Sequence, residues 1–174
     1  EAGCGNGDFA LALSQFLHQD GSYDGFEQDK QYADWCIQNF SGLHPGFSFQ
    51  HFAIKTGHQP TQGETNEGCF TLPYPDQQFD LFFSRNELTQ VLPDEMDQYL
   101  SEISRVLKPG GTCLIMLFIV NCESENLMIT RPTQMNFTYN KGLYRLQSKE
   151  THTQVAYDEE WLLDKVESAG LKME

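Results

Sequence analysis

The run Glu1-Ala2-Gly3-Cys4-Gly5-Asn6-Gly7 constrains this chain more than any other feature. Three glycines on alternate positions let a backbone turn tightly and let a ligand approach without Cβ clashes. Phe9, Leu13, Phe16 and Leu17 then recur at helical spacing, so the loop delivers the chain into a helix that starts near Asp8. Free N–H groups at such a start can receive a carboxylate or a phosphate. An ordinary strand-to-helix turn would use the same glycines, so the loop alone does not identify a ligand.

Its spacing separates two enzyme classes. A dinucleotide fingerprint, G-x-G-x-x-G, counted from Gly3 would end on a glycine at the position held by Asp8. The pattern here is E-x-G-x-G-x-G. Tyr23 to Glu27 reads as a short strand, and Glu27 stands at its end, 20 residues after Gly7. A carboxylate there can accept both hydroxyls of a ribose, as in other doubly wound nucleotide sites. The alternative is a solvated loop acid.

Downstream, apolar strands alternate with amphipathic helices. Tyr32, Ala33, Cys36, Ile37 and Phe40 share one helical face, and Phe47 to Ala53 is the next strand. Residues 55 to 75 read as a surface loop. Phe79 to Ser84 is a strand, and Pro93 opens a helix with Asp94, Glu95 and Asp97 early and Arg105 and Lys108 late, the order the helix dipole favours. Met96, Tyr99, Leu100, Ile103 and Leu107 form its buried stripe. Gly110-Gly111 stops it, and Thr112 to Val120 reads as a fully buried strand. Asp158 looks like the N-cap of a last helix, with Trp161, Leu162, Val166 and Ala169 inward and Gly170 just past its end. The expected fold is α/β, a Rossmann-like doubly wound, mostly parallel sheet in a single domain over residues 1–174. The glycine loop begins without a feeding strand and the chain stops just after Gly170, so the expectation is a fragment, truncated at both ends.

Charge and cysteines bound the function. The formal net charge is −14, from 25 acidic and 11 scattered basic residues, which argues against a nucleic-acid substrate. No apolar run reaches the roughly 18 residues of a membrane span. The five cysteines, Cys4, Cys36, Cys69, Cys113 and Cys122, include no CxxC pair and read as free thiols in a reducing, cytoplasmic setting. His44, His51, His58 and His152 lack ligand-like spacing, so no metal site is expected.

Two further motifs follow the loop in order. Leu72-Pro73-Tyr74-Pro75-Asp76 runs into Phe79-Asp80-Leu81, and Arg105-Val106-Leu107-Lys108-Pro109-Gly110-Gly111 runs into a hydrophobic strand. With E-x-G-x-G-x-G ahead of them and Ala169-Gly170-Leu171 behind, the chain resembles the class I S-adenosylmethionine-dependent methyltransferase family over about two-thirds of its length. The resemblance implies S-adenosyl-L-methionine as cofactor. It places Gly3, Gly5 and Gly7, with the backbone of Ala2 and Cys4, in the cofactor loop. Glu1 becomes the acid near the methionine ammonium, Glu27 the ribose acid and Gln28 a residue on the adenine edge. Ser84 and Arg85 would line the methionine part. The family often carries an Asp after the third strand for the adenine amino group. Here His51-Phe52-Ala53-Ile54 has no acid, and backbone groups of Ala53 and Ile54 would replace it.

The expected chemistry is methyl transfer to an oxygen or nitrogen of a small-molecule substrate. A hydroxyl nucleophile would need a base near its proton, with His58, Glu87 and His152 as candidates; no catalytic residue is singled out among them. Residues 121 to 156 form either a substrate-side insertion, with Phe137, Tyr139 and Tyr144 lining it, or a plain hairpin around Asn140-Lys141-Gly142. Two other functions compete: a nicotinamide-dependent oxidoreductase, against which the missing glycine and the K-P-G-G run argue, and a non-catalytic relative that binds cofactor or protein. The acceptor and the oligomeric state are not written in the sequence.

Overall fold

In the computed structural model, which describes residues 1–40, 42, 44–52, 70–131, 135–149 and 154–173, the segment Asp8–Leu13 coils into α1 directly from the glycine loop. The helix is shorter than its apolar spacing predicts. Ser14 turns its hydroxyl back onto the Leu11 carbonyl at 2.7 Å, and Gln15 and Phe16 donate three residues back, to Ala12 and Leu13. That tightening ends the α-helix and leaves Phe16 83% exposed.

The described residues fall into two compact units, Glu1–Ile54 and Lys55–Glu174. In the first, β1 (Tyr23–Glu27) and β2 (Phe47–His51) pair in parallel, from Tyr23 opposite Phe47 to Glu27 opposite His51. Parallel neighbours need a crossover, and α2 (Lys30–Phe40) supplies it. Its buried stripe is Ala33, Cys36 and Phe40, narrower than expected, because Tyr32 and Ile37 are 51% and 41% exposed. Cys4, Ala10, Tyr23, Cys36, Phe40, Phe47 and Phe49 form one core cluster. Burying a ring such as Phe40 contributes roughly 1.5–3 kcal/mol. Ala2 continues the parallel pairing by bridging to Phe26, so the glycine loop leaves from a strand-like position beside β1.

In the second unit β3 (Phe79–Ser84) pairs in parallel with β4 (Leu107–Ile115). Between them run a 3-10 turn, Glu87–Gln90, and α3 (Pro93–Val106), which buries Met96, Tyr99, Leu100, Ile103 and Val106. The expected strand Thr112–Val120 is in fact two. β4 follows β3 until Met116 donates to the Ser84 carbonyl, where β3 ends; β5 (Phe118–Val120) then pairs in parallel with β8 (Val155–Asp158). Nor is the run fully buried: Leu114 and Met116 are 56% and 55% exposed, in the alternation of a strand covered on one face.

Residues 121 to 156 hold a helix the sequence reading missed, α4 (Cys122–Thr130), and a hairpin of β6 (Tyr139–Asn140) and β7 (Tyr144–Leu146). The second sheet has the order β5-β8-β7-β6. α5 (Glu159–Ser168) closes the unit; the Asp158 carboxylate caps it by accepting the Trp161 N–H at 3.0 Å, and Gly170 follows in the left-handed region. Tyr157, fully buried, stacks on Trp161 and donates to the Val91 carbonyl. Among the described residues no helix is long and apolar enough to cross a membrane.

Candidate functional site: the glycine loop and the ends of the first parallel strands

The loop is built on β1. Gly3 and Cys4 both donate to the Phe26 carbonyl, at 3.0 and 3.1 Å, and Gly7 donates to the Cys4 carbonyl at 2.9 Å. Gly3, Gly5 and Gly7 all sit in the left-handed region, at φ 70°, 52° and 80°. Ala2 and Cys4, on either side of Gly3, are buried, whereas Asn6, between Gly5 and Gly7, is exposed. Around Gly3 the alternation is therefore structural: the glycine turns the chain and its small neighbours fill the space below it.

Glu27 faces the loop from the carboxyl end of β1. Its Oε2 accepts the Gly5 N–H at 2.8 Å and its Oε1 accepts the Asp29 N–H at 2.9 Å. Each carboxylate oxygen keeps a further lone pair after these two bonds. Asp29 in turn accepts the Gln31 N–H at 2.8 Å, which fixes the entry into α2. On the far side of Gly5, the Cys36 thiol donates to its carbonyl at 3.3 Å. His51, at the end of β2, places Nε2 3.0 Å from the Gln28 carbonyl, and Phe52 donates to the Glu27 carbonyl at 3.0 Å.

The loop amides are largely committed. Those of Gly3, Cys4, Gly5 and Gly7 all have partners within this unit. Beside these bonded amides the loop presents a carboxylate and an open glycine face. A Cβ placed on Gly5 would meet nothing within 4 Å, whereas one on Gly7 would strike Phe40 at 2.6 Å. Gly5 thus faces open space and Gly7 faces the protein.

Glu1, the proposed ammonium partner, accepts a hydrogen bond from the buried Tyr23 hydroxyl, whose pKa burial drives far above its usual value, so it stays a donor. Gln28 is half-buried beside Glu27. Ala53, Ile54, His58 and His152 lie outside the described residues. Ser84 and Arg85 belong to the second unit, at the carboxyl end of β3; Ser84 is fully buried and its Oγ has no hydrogen-bond partner among the described residues, while Arg85 is exposed. Glu87, half-buried, opens the 3-10 turn that follows.

The residues fit a nucleoside cofactor. Glu27 has acceptor capacity left for a pair of hydroxyls, and Gly5 leaves room above the loop that a Cβ would fill.

The second unit carries a separate feature that the sequence did not announce. A crevice of about 480 Å³ opens where β5 and β8 end, between the starts of α4 and α5. Asn121, Tyr144, Glu159 and the ion pair of Arg145 with Glu125 line it. Tyr144 is thus on a cavity, but Phe137 packs in the core against Phe118, and Tyr139 lies under the Lys149 ammonium.

Residues 1–115 match the family model described as a methyltransferase domain. A demethylmenaquinone methyltransferase of Lactobacillus johnsonii is 32% identical over 108 residues, which are 62% of this chain and 38% of that protein. The chain therefore aligns with well under half the length of that curated relative. A crystal structure of a protein from Pyrococcus horikoshii superposes with a TM-score of 0.63 at 14% identity, over 96% of this chain and 69% of the other. An S-adenosylmethionine-dependent methyltransferase from Mesorhizobium loti gives 0.63 at 14% identity, over 99% and 73%. At such identities the likeness is one of fold.

Proposed function

Since the chain belongs to the class I S-adenosylmethionine-dependent methyltransferase family, we propose that it transfers the methyl group of that cofactor to an oxygen or nitrogen of a small molecule. The observation that carries the reading is the Glu27 carboxylate, oriented by the Gly5 and Asp29 amides beside the open face of Gly5. A carboxylate so held has its remaining lone pairs fixed in direction, which suits two vicinal ribose hydroxyls. Gln28, next in the chain, lies toward the base. The family resemblance assigns Glu1, Ser84 and Arg85 to the methionine portion. The bound cofactor supplies an electrophilic methyl on a sulfonium; the protein's part is to hold that group and the acceptor in line and to exclude water. A hydroxyl, or an amine that is protonated at neutral pH, must give up a proton before or as it attacks the methyl, and of the candidate bases only Glu87 lies within the described residues.

Calorimetric titration with S-adenosylhomocysteine tests the reading. Losing two charge-assisted hydrogen bonds should weaken binding by roughly 30–100-fold or more in Glu27→Ala. Folded chain that binds nothing, or a Glu27→Ala chain that binds as tightly as the parent, removes the basis of the proposal. Transfer of labelled methyl to panels of alcohols and amines then decides between oxygen and nitrogen.

A further inference from the structure

The Gly5 peptide is held at both ends by side chains. Its N–H goes to Glu27 Oε2 at 2.8 Å, and its carbonyl receives the Cys36 thiol at 3.3 Å. Cys36 is fully buried on α2, one turn before Phe40. Its sulfur also lies 3.3 Å from where a Cβ on Gly7 would sit, so it occupies the space beneath the loop between two of its three glycines. Nothing lies within 4 Å on the open side of Gly5, so the loop there is restrained from below alone. A left-handed backbone conformation held by two side-chain bonds is a defined shape; freed of one of them, a glycine has more conformations than any other residue.

We propose that Cys36 is a positioning residue for cofactor binding: by donating its thiol hydrogen to the Gly5 carbonyl it sets, together with Glu27, the loop surface over which the nucleoside is held. The inference rests on the reading of the glycine loop as the cofactor site. Burial pushes the Cys36 thiol up to about 11, so it remains protonated and a donor throughout the neutral range. Cys4, the loop's own cysteine, lies within hydrogen-bonding reach of the same sulfur. The competing role is simple packing, since a buried thiol behaves as a small hydrophobe.

Three variants separate donation from packing. Cys36→Ser keeps a donor, Cys36→Val fills similar volume with none, and Cys36→Ala removes both. Each is tested in the full chain by calorimetry with S-adenosylhomocysteine and by hydrogen exchange of the Gly5 amide without ligand. The expected result is affinity within about twofold of the parent for the serine variant and roughly three- to tenfold weaker for valine and alanine, with Gly5 exchange accelerated in the latter two only. If alanine fails to fold, the serine–valine comparison carries the test. Serine and valine variants weakened alike, or neither changed, would overturn the proposal. Absence of binding by the parent chain would instead count against the cofactor site itself, and the exchange of Gly5 would still report whether Cys36 holds the loop.

Discussion

Arg105 donates through Nη2 to the carbonyl of Leu72 at 3.0 Å, joining two sequence motifs 33 residues apart. Nη1 reaches both the Tyr74 carbonyl and Asp76 at 2.8 Å each, and Glu102 accepts from Nε while also accepting the Leu72 N–H at 2.6 Å. The L-P-Y-P-D turn and the R-V-L-K-P-G-G run are therefore halves of one polar cluster that sets the entry into β3. The guanidinium serves four partners in one plane, which an ammonium cannot do. Arg105→Lys should lower the stability of the second unit by roughly 2–3 kcal/mol, read as the urea midpoint of Trp161 fluorescence. Lys108→Ala, which breaks an exposed pair with Asp80, should cost less than about 1 kcal/mol. Equal effects of the two would show that the cluster is only a surface ion pair.

The same cluster gives a pH signature. Burial opposes ionisation of Glu102, but the Arg105 hydrogen bond, the Leu72 N–H and the Arg105 charge outweigh it and hold the carboxyl below its usual value of about 4.5. A folded-state pKa lower than the unfolded one means the stabilisation is fully present above the unfolded value. It is lost as pH falls through the lower, folded value. Thermal midpoints followed from about pH 6 to about pH 3 should drop less steeply in Glu102→Gln than in the parent, although the variant starts lower. Parallel curves would mean that Glu102 contributes nothing to acid sensitivity.

Gly110 and Gly111 stand side by side but answer to different constraints. The ladder slips between Phe79 and Leu81, where Leu107 and Thr112 are the successive partners on β4. Gly110 turns the bulge at φ 79° with open space around it; a Cβ on Gly111 would lie 2.9 Å from the Lys108 carbonyl and 3.1 Å from that of Phe79. Gly111→Ala must displace backbone and should cost about 2 kcal/mol or more, while Gly110→Asn, in a conformation asparagine tolerates, should cost about 1 kcal/mol or less. Chemical denaturation of both variants checks the order, and a reversal would place the close contact at the wrong glycine.

How much of this was legible follows from where the signals are local. Tyr23–Glu27 and Phe79–Ser84 could be read to the residue, since each is bounded by turn residues or charge and filled with aromatics. Pro93 and Asp158 announced their helices because the start of a helix is written in one or two side chains. Helix α4 escaped, for it buries no residue and so has no apolar period to read; its one local sign was Asn121 and Ser124, which cap each other reciprocally at 2.9 Å. The break after Ile115 was equally hidden, because a strand that changes neighbours keeps its composition. At the site, the positions of the glycines and of Glu27 were legible by spacing. Cys36 and Phe40 were visible only as helix-face residues, and that they lie beneath the loop is a consequence of chain crossover that spacing does not encode.

The loop's glycines differ in what surrounds them, and substitution should separate them. Both Gly5 and Gly7 adopt left-handed backbone angles, at φ 52° and 80°, so alanine costs each about 1–2 kcal/mol of local strain. Beyond that the two diverge. A methyl group on Gly5 meets nothing in the protein and projects into the space above the loop, so Gly5→Ala should leave the chain folded and weaken S-adenosylhomocysteine binding by about tenfold or more. On Gly7 the methyl group lies 2.6 Å from the Phe40 ring, which is buried among Cys36, Phe47 and Phe49, so Gly7→Ala should destabilise the first unit by a further 1–3 kcal/mol. Trimming the ring, in Gly7→Ala with Phe40→Leu, should recover part of that loss, a coupling that a double-mutant cycle measures. The same Phe40→Leu change should do nothing for the binding defect of Gly5→Ala. If it restored binding there, the open face of Gly5 would not be where the nucleoside lies.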